Sequence, residues 1–196
     1  VFTVLNELMA ANENQPNARI VVLADKDKVE MEDEIRERVE VKGKTRIICR
    51  SGSPIDPNDI EITSLHEAKS IIVLPPENGD PDTDVIKTTL AITNNPARRA
   101  EPYHIITQIR HAKNMDVVKL VGEKDNVQAV LTGDLIARVV AQTSRQSGLS
   151  VVYTELMNFG GDEIYFKHEP ALEGKTFGES WLAYEDSCVM GIRKAD

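Results

Sequence analysis

Three places in the chain end an apolar run on residues equipped to meet a ligand. ARIVVLAD closes on Asp25-Lys26, TRIICR on Ser51-Gly52-Ser53, and SIIVL on Pro75-Pro76. A carboxylate such as Asp25 can accept hydrogen bonds from ribose hydroxyls, and Gly52, with no Cβ, lets a ligand approach the backbone closely. Leu74 and Pro75 offer an apolar wall for an adenine ring. The plain alternative is that polar and turn residues end strands anyway. No Gly-rich phosphate loop precedes Asp25, so these residues alone leave both nucleotide binding and a polar strand end open.

Other candidate chemistry is weaker. The acidic stretch ENGDPDTDV, residues 77–85, gathers Asp80, Asp82 and Asp84. A helix-loop-helix calcium site needs Gly at its sixth position and Glu at its twelfth, and counted from Asp80 these are Val85 and Ala91. The stretch reads instead as a helix start, with Asp80 as N-cap, Pro81 in the first helical position and acids in the first turn. Calcium or another cation is the lesser reading. GGDEI, residues 160–164, is the signature string of diguanylate cyclases, but too little chain follows it, and it reads as a helix cap and turn. GKT, residues 174–176, lacks a phosphate loop's Gly five positions earlier, where Glu169 stands. His66, His104, His111 and His168 have no histidine partners at ligand spacing, and no G-x-S-x-G elbow is present. With no catalytic constellation, the chain reads as non-enzymatic.

Positioning those strand ends requires a sheet. ARIVVLAD is a continuous apolar run of the kind a strand buried on both faces shows, and KVEMEDEIRERVE after it is helical. TRIICR, a short helix around PNDIEITSL, SIIVLPP, the helix DTDVIKTTLAITNN and the strand YHIITQIR continue the beat. Such alternation predicts an α/β fold, a Rossmann-like parallel sheet with crossover helices. HAKNMDVVKLVGE is a weaker helix and VQAVLT a short strand. GDLIARVVAQTSRQS is strongly amphipathic and SVVYTELMNF follows it as a second helix. The tail segments EIYFKHEP, EGKTFGESWLAY and SCVMGIRKAD read as strand, helix and strand, a small α+β lobe. The resulting organisation is a Rossmann-like lobe over residues 1–132, paired helices over 133–158 and a C-terminal lobe over 159–196.

Composition limits the partners. The 196 residues are 41% hydrophobic, enough for a proper core, and carry a formal net charge of −9. That balance argues against nucleic acid or an anionic membrane surface as partner, since both reward clustered Lys and Arg, and Arg98-Arg99 is too short a cluster to reverse it. Cys49 and Cys188 lie in apolar runs and are expected in the core. No run is long enough to span a bilayer and no signal peptide is visible, so the piece itself reads as cytosolic. VFTVLNELMAAN starts inside an amphipathic pattern without a cap, as a chain cut upstream of its first helix would.

The strand ends, the pair GDLIARVVAQTSRQSGLSVVYTELMNF and the tail GDEIYFKHEPALEGKTFGES together resemble the regulatory domains of potassium channels and transporters (RCK or TrkA type). The resemblance is closer to the cytosolic region of Castor/Pollux-type ion channels and covers nearly the whole chain. It implies a first strand and Gly-containing turn immediately before Val1, absent from this chain, which would carry half of any nucleotide site. It further implies attachment to a membrane pore, a position on the cytoplasmic face, and homo-oligomers joined through the helices from residue 134 to 157. By the same likeness a ligand at Asp25, Lys26, Ser51, Gly52, Ser53, Leu74 and Pro75, an adenine nucleotide or NAD, would shift gating. Where many such domains carry Gly-Asp after the third family strand, this chain has Gly52-Ser53 and loses a carboxylate. Two rival readings are a soluble nucleotide-binding subunit of a TrkA-type potassium transporter and an NAD-dependent oxidoreductase.

Overall fold

The computed structural model describes residues 1–77, 79–160 and 164–193. Helices and strands alternate as α1 Phe2–Ala11, β1 Arg19–Ala24, α2 Lys28–Arg38, β2 Arg46–Ser51, α3 Pro57–Glu61, β3 Ile71–Val73, α4 Pro81–Thr93, β4 His104–Ile109, α5 Met115–Val121 and β5 Asn126–Leu131. Then come α6 Thr132–Arg145, α7 Leu149–Met157 and α8 Phe177–Trp181. The chain divides into two compact units, Val1–Asp162 and Glu163–Asp196.

In the first unit every described ladder is parallel: β1 pairs with β2, and β3, β4 and β5 pair in that order. The two sheets, β1-β2 and β3-β4-β5, share no ladder among the described residues. The Rossmann-like α/β fold expected from the strand-helix beat is present. Alternate residues of β1 serve different cores, as a two-residue period requires. Ile20 and Val22 pack with Leu5 and Met9 of α1, Ile35 of α2, Val39 just after it and Ile47 of β2. Leu23 packs with the other cluster, built from Ile60, Val73, Val85, Ile92, Tyr103, Ile105, Ile109 and Val118. Full burial of an Ile or Val side chain contributes about 1.5–3 kcal/mol, so Ile105 and Ile109, both wholly buried, anchor β4 as the central strand of its sheet.

Arg98 and Arg99 are spent inside this unit. Arg98 pairs with the buried Asp125 at 2.8 Å, and Arg99 donates to the carbonyls of His66, Ala68 and Pro102.

The second unit corrects part of the sequence reading. EIYFKHEP and SCVMGIRKAD form no strand among the described residues; the unit holds α8 and one helical turn at Pro170–Leu172. A strand needs a hydrogen-bonded neighbour, and here Ile164, Tyr165 and Phe166 stay exposed without one. Cys188 is exposed, not a core residue; its Sγ accepts the Trp181 Nε1 hydrogen at 3.4 Å. The GKT stretch is a turn and a cap: Gly174 has φ +78, and Thr176 exchanges hydrogen bonds with Glu179 in a capping box that starts α8. Most of GGDEI, Gly161 to Glu163, lies outside the described residues.

Candidate functional site

The carboxyl ends of β1 and β2 lie side by side because their ladder runs from Arg19↔Arg46 to Ala24↔Ser51. Ser51 Oγ donates to the Lys26 carbonyl at 2.6 Å, and the Gly52 N–H donates to the Ala24 carbonyl at 3.0 Å. These bonds bring together five of the seven sequence-predicted residues: Asp25, Lys26, Ser51, Gly52 and Ser53. Leu74 and Pro75, both half-buried, end β3 in the other sheet, and no hydrogen bond among the described residues joins them to this group.

The five are not equally free to act. Asp25 is exposed, and its carboxylate takes no hydrogen bond among the described residues. Asp27, two positions on, is spent as the N-cap of α2, accepting from the N–H groups of Val29 and Glu30. Lys26 Nζ is held by Glu34 at 2.8 Å and Glu30 at 3.2 Å. The hydrogen bond that Lys26 donates to Glu34 raises the Lys26 pKa and lowers that of Glu34. Lys26 is therefore a latch between β1 and α2 and presents little uncompensated charge to a ligand.

Asp59 of α3 supplies a carboxylate that the Gly52-Ser53 sequence lacks. Its Oδ2 accepts the Ser53 N–H at 2.8 Å, and a Cβ placed on Gly52 would meet its Cγ at 2.9 Å. Gly52 is thus required by a side chain already in contact with it. Asp59 escapes sequence reasoning because it lies six positions beyond Ser53 and returns only through the turn before α3.

A second group, also missed, sits where β4 ends. Asp82 is fully buried and accepts from Arg110 N–H at 2.8 Å, His111 N–H at 2.9 Å, Asn114 Nδ2 at 2.7 Å and His111 Nδ1 at 3.0 Å. Burial alone pushes its carboxyl pKa up. The Arg110 N–H, the Asn114 amide and the two His111 groups outweigh that and hold the pKa at about 2. An ionised carboxylate only accepts, so Nδ1 carries the proton and Nε2 is the free nitrogen of a ring that is 60% exposed. Asp80 is the N-cap residue of α4 as expected from sequence, and its carboxylate accepts the Thr83 hydroxyl at 2.7 Å. Among the described residues no group of three His, Cys, Asp or Glu side chains is arranged to hold a metal.

Together these features define a class: a Rossmann-like lobe with polar residues at its strand ends, followed by an amphipathic helix pair. Residues 133–196 match the family model described as Castor and Pollux, part of voltage-gated ion channel. Nearly the whole chain, 98% of it, is similar to the probable ion channel CASTOR of Oryza sativa subsp. japonica at 35% identity and to the ion channel CASTOR of Lotus japonicus at 33%. The probable ion channel POLLUX of Oryza sativa subsp. japonica is 32% identical over the same share of the chain. The chain spans 22% of the length of each of the two CASTOR relatives and 20% of the POLLUX one. No helix among the described residues is long and apolar enough to cross a membrane.

Proposed function

We propose that the chain is a non-enzymatic, ligand-sensing regulatory region of a Castor/Pollux-type cation channel, on the cytoplasmic face of a pore carried elsewhere in the full-length protein. The observation that carries this reading is the similarity over 98% of the chain to proteins named as ion channels. The ligand is an adenine nucleotide or NAD, with Asp25 toward the ribose, the Ser51–Ser53 turn beside it, and Leu74 and Pro75 toward the base. A ligand moves a pore only through its difference in affinity between two arrangements of the protein. The exposed apolar side chains of α6 and α7 support a homo-oligomer as the body that is rearranged.

A thermal-shift panel of ATP, ADP, AMP, NAD, NADH, calcium, sodium and potassium tests the reading on a chain extended upstream of Val1. An adenine nucleotide or NAD is expected to raise the melting temperature, and Asp25→Ala to abolish the rise. Asp25 takes no hydrogen bond among the described residues, so this variant should melt with the parent when no ligand is present. A rise with cations alone, or a nucleotide response that Asp25→Ala leaves intact, would overturn the assignment of the site.

A further inference from the structure

At the other end of β1 and β2, three cations gather without a counter-ion. Asn17, Ala18, Arg19, Lys44 and Arg46 line a cavity of about 230 Å³. Arg19 and Arg46 are register partners, so two guanidinium groups start from the same face of the sheet on neighbouring strands. Like charges in direct register destabilise a sheet. Carboxylates are plentiful in a chain of net charge −9, and Lys26, Lys28, Arg36, Lys87, Arg98, Arg138 and Lys167 all have one. Arg19, Lys44 and Arg46 form no ion pair among the described residues, and all three are exposed.

The walls of this cavity are fixed by backbone. The Arg46 N–H donates to the Ala18 carbonyl at 3.0 Å, and Thr45 Oγ1 donates to the Asn12 carbonyl at 3.4 Å. Gly43 holds φ +62 where a Cβ would strike the Glu13 carbonyl, so the turns before β1 and β2 pack tightly on each other. Asn17 also holds a left-handed φ of 62°.

We propose that this cavity binds a phosphate group. Two guanidinium forks and one ammonium suit the tetrahedral oxygens of phosphate, which Arg engages bidentately and Lys as a point charge. A volume of about 230 Å³ falls below the roughly 300–1,000 Å³ of pockets that enclose a whole drug-sized ligand, so one or two phosphates fit better than a complete nucleotide. The acidic net charge does not oppose this, because exposed charges more than about 8 Å away are largely screened at physiological salt. The site is separate from the residues around Asp25 and stands whether or not those bind a nucleotide. Its phosphate comes from a soluble polyphosphate or from a phosphorylated lipid headgroup.

The probes are inorganic pyrophosphate, followed through backbone amide shifts by NMR, and phosphatidylcholine vesicles with and without phosphatidylinositol bisphosphate, followed by co-sedimentation. Pyrophosphate is expected to shift the amides of residues 17–19 and 44–46 and to saturate. Arg46→Gln and, outside the strands, Lys44→Gln should each weaken binding about tenfold, while Lys119→Gln on α5 leaves it unchanged. Co-sedimentation with the phosphoinositide vesicles, lost in the same two variants, names a lipid source; a pyrophosphate response alone names a soluble one. Arg46→Gln relieves a like-charge pair, so at low salt it should melt no lower than the parent. Neither probe binding, or Lys119→Gln weakening it as much as the cavity variants, would overturn the proposal.

Discussion

Asp82 gathers four hydrogen-bond donors on one buried carboxylate, and removing its charge should be felt throughout the first unit. Asp82→Asn is expected to cost about 2–3 kcal/mol at neutral pH, measured by urea unfolding, because an amide turns its own donors toward groups that donate. The pH dependence has a definite sign. The folded carboxyl titrates at about 2 against an ordinary 3.8, so its contribution is fully present above the unfolded value and fades as pH falls from about 4 toward 2. That contribution is on the order of 2 kcal/mol, and the variant should lose correspondingly less stability over the same window. Parallel stability profiles for parent and variant would sink the idea. Gly52→Ala makes a smaller prediction. Its Cβ displaces the Asp59 carboxylate from the Ser53 N–H, and a double-mutant cycle with Asp59→Ala should show coupling of about 1 kcal/mol. Strict additivity would mean that Gly52 and Asp59 act independently. Asp25 and the Ser51–Ser53 turn are legible in the sequence because they end apolar runs. Asp59 and the Asp82 hub are not, because their partners come from neighbouring turns, in the case of Asp82 from 28 to 32 positions further on.

Elements were legible where burial forces periodicity. The strands β1, β2 and β4 are apolar runs, and their observed bounds stay within one or two residues of the runs that predict them. The tail strands failed because EIYFKHEP has composition without a ladder partner, and propensity alone does not hold a strand. The helix α6 shows the same logic in reverse. It is strongly amphipathic, yet no residue of it is buried; Leu135, Ile136 and Val140 remain 45%, 59% and 60% exposed. Val151, Val152, Leu156 and Met157 of α7 are exposed as well. Apolar faces of this size point to a partner surface, and the homo-oligomer proposed above supplies one. Replacing Ile136 and Val140 together with Glu should convert a dimer or larger assembly to monomer in light scattering. The unfolding midpoint of the Rossmann-like lobe should stay unchanged, since neither side chain belongs to its core. A parent that scatters as a monomer at high concentration would remove the helix pair from consideration as an interface.

At the scale of the whole sheet, the arrangement to be explained is two sets of parallel strands that contribute to one core without a ladder between them. Leu23 of β1 packs with the cluster centred on β4, yet among the described residues β1 is hydrogen-bonded only to β2, and β3 only to β4. Val21 of β1 and Ile72 of β3 are 39% and 38% exposed, unusual for strands of a parallel sheet with both faces covered. A strand seated between β1 and β3 would satisfy both unpaired edges, complete the doubly wound order and bring its own carboxyl end beside Asp25. We propose that a strand of the full-length protein takes this place. In a chain extended to include it, amide exchange within β1 and β3 should slow by more than about tenfold while β5 changes little. Those two strands gain a hydrogen-bonded neighbour, whereas β5 lies at the far edge of its sheet. Uniform slowing across all five strands would indicate general stabilisation without a new ladder. No slowing in β1 and β3 would mean that their free edges face something other than a sixth strand.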